Sequence, residues 1–253
     1  MRAFASALLV LLSVLLRAQG IDSVFTEIYS VQPDPVSGKT LVTYRIFVDL
    51  APGYELQMVY GDARNQLDIA TTTDFFNDEK NGARFAHQVR TTQLNTFPCA
   101  IDSWLTMNAA SDGHVGLPRA WDDDGSVLEC PPYAGYGLMP VDVKPLCAAD
   151  GLLQRDSVPD VVNFRMDPGY LGDVRGSELH TMDGAWAVLG GVKGVTDRNV
   201  CLIAQLTTTG ELSYHLNLQL RTPDRKVVRY VSTEARGTDE VLFPGLVRKS
   251  ASH

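Results

Sequence analysis

Residues 211–221 read Glu-Leu-Ser-Tyr-His-Leu-Asn-Leu-Gln-Leu-Arg. Leu212, Tyr214, Leu216, Leu218 and Leu220 alternate there with Ser213, His215, Asn217, Gln219 and Arg221. A period of two places the apolar side chains on one face of an extended chain, whereas a helix would scatter them around its axis. The stretch is expected to be a strand with one buried face. Residues 40–50 repeat the period: Val42, Tyr44, Ile46, Val48 and Leu50 share one face, and Leu41 and Phe47 join Thr43, Arg45 and Asp49 on the other. Apolar residues on both faces predict a central strand covered on both sides.

Shorter strands are expected over residues 24–31, 55–60, 66–71, 100–107, 161–164, 185–189, 200–207 and 226–231, from their β-branched, aromatic and alternating residues. Turn chemistry separates several of them, at residues 33–38, Pro52-Gly53, Gly61, Thr209-Gly210 and Pro223-Asp224. No stretch of eleven or more residues carries a helical stripe. Many short strands with frequent turns predict an all-β fold, a single antiparallel β-sandwich or jelly-roll-like domain.

At the N-terminus, Arg2 precedes an apolar run from Ala3 to Leu16, followed by Arg17, Ala18, Gln19 and Gly20. The run matches the core of a signal peptide and falls short of the roughly 20 residues that span a bilayer. Cleavage is expected after Gly20, and no later apolar run is long enough to cross a membrane. Losing Arg2 and Arg17 takes the formal charge from −8 to −10. So acidic a chain, without Lys or Arg clusters, has no electrostatic footprint for nucleic acid. The expected address is secreted or cell-envelope, extracellular or periplasmic. The division expected is a signal peptide over 1–20, one β-rich domain over 21–245 and a disordered tail over 246–253.

Cys99, Cys130, Cys147 and Cys201 all lie in the exported part, where disulfides persist. Four cysteines allow three pairings. Spacing favours Cys130 with Cys147, which leaves Cys99 for Cys201. No Cys-x-x-Cys pair or close Cys/His cluster suggests a metal. Between residues 111 and 159 the chain turns rich in Gly, Pro and Asp and loses apolar periodicity, so a long loop insert is expected. Inserts of that length inside a compact domain often carry function.

The runs Thr43-Tyr44-Arg45-Ile46-Phe47-Val48-Asp49, Thr71-Thr72-Thr73-Asp74-Phe75-Phe76-Asn77, Asp102-Ser103-Trp104-Leu105-Thr106, Asp183-Gly184-Ala185-Trp186 and Leu202-Ile203-Ala204-Gln205-Leu206-Thr207-Thr208 resemble a module that recurs in secreted and cell-surface proteins of marine and gut Bacteroidota. The resemblance runs over nearly the whole exported part. It implies export, one β-rich domain and an envelope or extracellular address. Those modules have no assigned activity, so it supplies no catalytic residue. This chain departs from them in its cysteines, in its long insert and in lacking a terminal sorting domain.

Candidate sites are sparse. Asp122, Asp123 and Asp124 precede Gly125, and calcium wants several oxygen ligands at such spacing. With Gly125 as the sixth position of a calcium loop, Ala120 and Pro131 occupy the first and twelfth, so the full pattern fails and a solvated acidic turn competes. Trp121, with Tyr133 and Tyr136, could stack on sugar rings if exposed in one plane, while Trp104 and Trp186 fit the core. His180 with Asp183, His114 with Asp112, and Ser103 or Ser177 could be imagined as a nucleophile and base. There is no Gly-x-Ser-x-Gly elbow and no His-Glu-x-x-His motif, and no catalytic residue is nominated. The leading expectation is a non-catalytic module whose insert meets a partner protein or glycan; a stricter carbohydrate-binding module and a glycosidase-like hydrolase are the alternatives. Calcium is the one cofactor these residues suggest.

Overall fold

The computed structural model of the chain describes residues 20–34, 37–94, 98–125, 127–128, 149–167, 171 and 175–250. The expected signal segment up to residue 19, and Cys130, Tyr133, Tyr136 and Cys147, lie outside the described residues.

The described chain is mainly β, and its helical pieces are single 3-10 turns. In chain-order numbering, the first sheet runs β1 (Ile21–Pro33), β2 (Thr40–Leu50), β11 (Val200–Thr208), β5 (Trp104–Leu105). A second sheet runs β15 (Glu240–Leu242), β14 (Val227–Val231), β13 (Leu218–Arg221), β3 (Glu55–Tyr60), β10 (Ala185–Val192), β8 (Val162–Phe164). A third runs β16 (Val247–Arg248), β12 (Leu212–His215), β4 (Leu67–Thr71), β9 (Glu178–Thr181). β6 (His114–Gly116) and β7 (Leu152–Gln154) form a separate two-stranded ladder. Pairing is antiparallel except between β14 and β15, which run parallel.

The alternation over 211–221 is one pattern divided between two sheets. β12 pairs with β4 in the third sheet and β13 with β3 in the second. The change of sheet falls at Leu216 and Asn217, and both stay fully buried, so the period of two runs on through the corner. Asn217 Nδ2 donates to the carbonyls of Asn65 at 2.9 Å, Gln66 at 3.1 Å and Tyr60 at 3.2 Å, while its Oδ1 accepts from the Ser232 amide at 3.1 Å. One side chain thereby satisfies backbone groups that the bend takes off the ladder. Two other strand pairs turn at the same corner, β3 into β4 and β9 into β10, and the Gly61 amide bonds the Gly184 carbonyl between them at 2.8 Å. A Cβ on Gly61 would stand 2.2 Å from the Thr181 carbonyl oxygen, so only glycine fits there.

β2 is central, with β1 on one side and β11 on the other, as its two apolar faces predict. Ile46, Val48 and Leu50 enter a core shared with Leu56, Leu218, Trp186, Ile69 and Tyr214 of the other two sheets. Phe47 faces a second core with Tyr29, Trp104, Leu202, Leu128 and Leu152. Trp104 and Trp186 are both in the core, as expected. The segment 100–107 differs from the strand expected for it: a 3-10 turn covers Cys99–Ile101, and only Trp104–Leu105 pair with β11.

The insert is closed at its base by β6 and β7, where Val115 faces Leu153. Arg45, buried in the second core, donates from Nε to Gln205 Oε1 at 2.9 Å and from Nη1 to the Gly151 carbonyl at 3.1 Å. Asp150 is fully buried, and its Oδ2 accepts the amides of Val127 at 2.6 Å and Leu128 at 2.8 Å. Arg45 thus fastens the returning end of the insert to the first sheet, and Asp150 ties that end to residues 127–128.

Two expectations are corrected. Cys99 and Cys201 are free, buried thiols rather than a disulfide. Cys201 packs in the main core on β11, and Cys99, in a 3-10 turn, packs in the second. Burial pushes both thiols up to about 12. The tail expected from residue 246 is ordered through residue 250: Leu246 is fully buried and Val247–Arg248 pair with β12. An apolar residue just before the basic run anchors it, and residues 251–253 lie outside the described residues.

Candidate metal site

Along β4 burial alternates, with Leu67, Ile69 and Thr71 inward and Asp68 and Ala70 outward. β12 buries Leu212 and Tyr214 and turns Ser213 and His215 outward, and β9 buries Leu179 and Thr181 and exposes Glu178 and His180. The register sets Asp68 opposite His180 on one side and opposite His215 on the other. Directly opposed residues of an antiparallel pair have Cβ atoms about 4.5 to 5.5 Å apart. A row His180, Asp68, His215 therefore crosses three strands on the outer face of this sheet, with Glu178 one step along β9.

His180 Nδ1 is bonded to Asp68 Oδ1, and both side chains are open to solvent. One ligand atom each from Asp68, Glu178 and His180 lies within 4.8 Å of the other two. Two ligands bound at about 2 Å to a common ion stand about 3 to 4 Å apart. Closing such a site asks only for rotation of exposed side chains on a fixed ladder. Two carboxylates match the charge of a divalent ion, and a neutral imidazole suits the borderline first-row metals. Three protein ligands on an open sheet face leave further coordination positions to water or to a bound molecule.

Of these residues the sequence singled out only His180, and set it with Asp183 rather than with Asp68 and Glu178. β9 is four residues long, too short for its alternation of Glu178, Leu179, His180 and Thr181 to stand out, and Asp68 lies 110 positions before Glu178. The one usable signal was that the polar half of that alternation consists of ligating residue types.

The other residues that the sequence singled out fall elsewhere. Trp121 ends a 3-10 turn over Arg119–Trp121, half-buried against the second core, with the Arg198 guanidinium carbon 4.6 Å from its ring centroid. Asp122 Oδ2 accepts the amides of Asp150 at 2.9 Å and Gly151 at 2.6 Å, so this carboxylate fastens the insert. Asp124 is exposed and bonded to the Asp122 carboxyl, which raises its own pKa. Asp123 is exposed. His180 meets Asp68 rather than Asp183, whose carboxylate lies 4.0 Å from Arg165 Nη1. Ser103 Oγ donates to the Phe76 carbonyl at 2.7 Å and accepts the Thr207 amide at 2.9 Å, and Ser177 is exposed beside β9.

His114 lies with Ser111 instead, its Nδ1 2.9 Å from Ser111 Oγ. Asp112 turns to Thr91, accepting its amide at 2.8 Å and its hydroxyl at 2.6 Å. Burial lowers the His114 pKa and keeps the ring neutral. Ser111 is fully buried and its Oγ also accepts the Gly113 amide at 3.2 Å, so the pair fastens a turn out of reach of a substrate. A second buried acid, Asp102, accepts the amides of Asp78 at 2.7 Å and Ala83 at 2.8 Å. Burial outweighs these bonds and, with the Asp78 carboxylate adding to it, pushes Asp102 up to about 7.

No protein-family model, curated protein or solved structure matches the chain.

Proposed function

We propose that this chain is a secreted, non-catalytic binding module, a single antiparallel sandwich or jelly-roll-like domain, that holds a divalent metal ion on the outer face of the β4, β9 and β12 sheet. The observation that carries this reading is the convergence of Asp68, Glu178 and His180, whose ligand atoms lie within 4.8 Å of one another on neighbouring strands. Strands fix the Cα positions of all three, which is a firmer base for a metal than a loop. Export rests on the signal-like N-terminus and on the resemblance to exported Bacteroidota modules.

The insert over 111–159 is the surface we assign to a partner protein or glycan; the bonds of Asp122 and Asp150 tie residues 122–128 to residues 150–151, and Arg45 holds Gly151 to β2. A strict sugar-stacking platform draws less support, since Trp121 is half-buried and has Arg198 over its ring.

Calorimetric titration with zinc tests the metal reading. The wild-type protein is expected to bind one equivalent, and Asp68→Ala to lose that binding while keeping its melting temperature within a few degrees. Equal binding by both proteins, or none by the wild type, would remove it.

A further inference from the structure

We infer that the metal favoured on this face is copper, and that His215 and Met182 complete its ligand set; the inference rests on the metal reading just given. Two placements and the chemistry of the donors carry it. First, His215 sits directly opposite Asp68 on β12, on the side away from His180. Among the described residues, none hydrogen-bonds the His215 ring.

Neighbouring strands lie about 4.8 Å apart, so the two histidines stand about 10 Å apart at their Cβ atoms with Asp68 between them. A ring nitrogen reaches about 4 Å from its Cβ and binds metal at about 2 Å. The His215 ring stands outside the group of ligand atoms that lie within 4.8 Å of one another, and a side-chain rotation over the aspartate brings it onto the same ion.

Second, Met182 follows His180 by two residues, just past the end of β9, and is 47% exposed. Gln66 Nε2 donates to its sulfur at 3.1 Å. Leu67 pairs with Thr181 inside the sheet, so Gln66 and Met182 continue the outer face one step beyond the His180 row. The Met182 sulfur thus lies on the outer face of the sheet with a polar partner, where a thioether two residues along the chain from His180 adds a soft donor.

Third, the donors differ in softness. Two imidazoles and two carboxylates suit Cu(II), which binds nitrogen and oxygen ligands more tightly than the other divalent first-row metals, and a thioether adds affinity for Cu(I). Zinc gains little from the thioether. With Glu178 on one side of the row and Met182 on the other, the face offers donors for either copper oxidation state.

The test uses the whole protein with copper(II) chloride, zinc chloride, and Cu(I) under a colorimetric competitor. Copper(II) is expected to bind at least tenfold more tightly than zinc, with two nitrogen couplings in the electron paramagnetic resonance spectrum. His215→Ala is expected to weaken copper(II) at least tenfold and leave one coupling, and His215→Gln to repeat this. Met182→Leu is expected to weaken Cu(I) at least tenfold and leave zinc unchanged. Zinc and copper binding alike in wild type and variants would overturn the inference and leave the metal reading standing. Binding of neither metal would end both.

Discussion

The guanidinium carbon of Arg45 lies 3.5 Å from the centroid of the Tyr29 ring, inside the second core. A buried cation is costly unless every donor finds a partner. Here the ring face, Gln205 Oε1 and the Gly151 carbonyl supply partners, and Glu27, whose own pKa burial raises, adds an opposite charge nearby. The arrangement ties the returning end of the insert to the central strand β2. Arg45→Met, which keeps the volume and removes the fork, is expected to lower stability by about 2 to 4 kcal/mol. Urea unfolding measures this, and limited proteolysis is expected to cut the variant first within residues 111–159. A change below about 0.5 kcal/mol would show that the cation does not fasten the insert.

Asn217 acts at the corner as Arg45 acts under the insert. Its amide closes three carbonyls and one backbone amide at the bend between two sheets. Asn217→Leu would leave these groups buried and unpaired, so a loss of about 3 kcal/mol or more is expected by thermal or urea unfolding. Near-wild-type stability would mean that water satisfies the corner.

The alternation that revealed the fold also concealed this corner. Leu212 to Leu220 face one core without a break, and nothing in their period marks the change of sheet at Asn217. The central place of β2 was legible because both of its faces carry apolar residues. β6, β7, β9, β15 and β16 were not, because each has two to four residues and little alternation to display. For the same reason the candidate metal site could not be read in advance: its ligands become neighbours only through the β4–β9 and β4–β12 registers. Trp121 and Asp122 attracted notice as residue types, and the structure uses them to close the insert.

Cys99 and Cys201 face different cores, so their thiols are expected to alkylate without reduction once the chain is unfolded. Mass spectrometry of proteolytic peptides from unreduced, unfolded protein checks this directly. A linked pair of peptides containing Cys99 and Cys201 would contradict the packing of the first sheet.

Asp102 gives the fold a pH dependence of definite sign. Its carboxyl is raised to about 7 in the fold and stands near 4 in an unfolded chain. The folded state therefore holds a proton that the unfolded chain has released, and this stabilising contribution is complete below about pH 4 and lost as pH rises through about 7. Wild type is expected to lose stability, by an amount on the order of a few kcal/mol, between pH 5 and pH 8 relative to Asp102→Asn. Parallel urea denaturation curves of the two proteins at the two values would measure it, and curves shifting together would contradict it.

The outer face of the β4, β9 and β12 sheet carries the proposed metal site. Crystals of the protein soaked in zinc, with diffraction recorded on both sides of the zinc absorption edge, place any bound ion directly. An anomalous peak within about 2.3 Å of a carboxylate oxygen of Asp68 and a ring nitrogen of His180, with Glu178 turned toward it, is the expected result. A peak confined to other residues, or none on this face at full soaking, would contradict it.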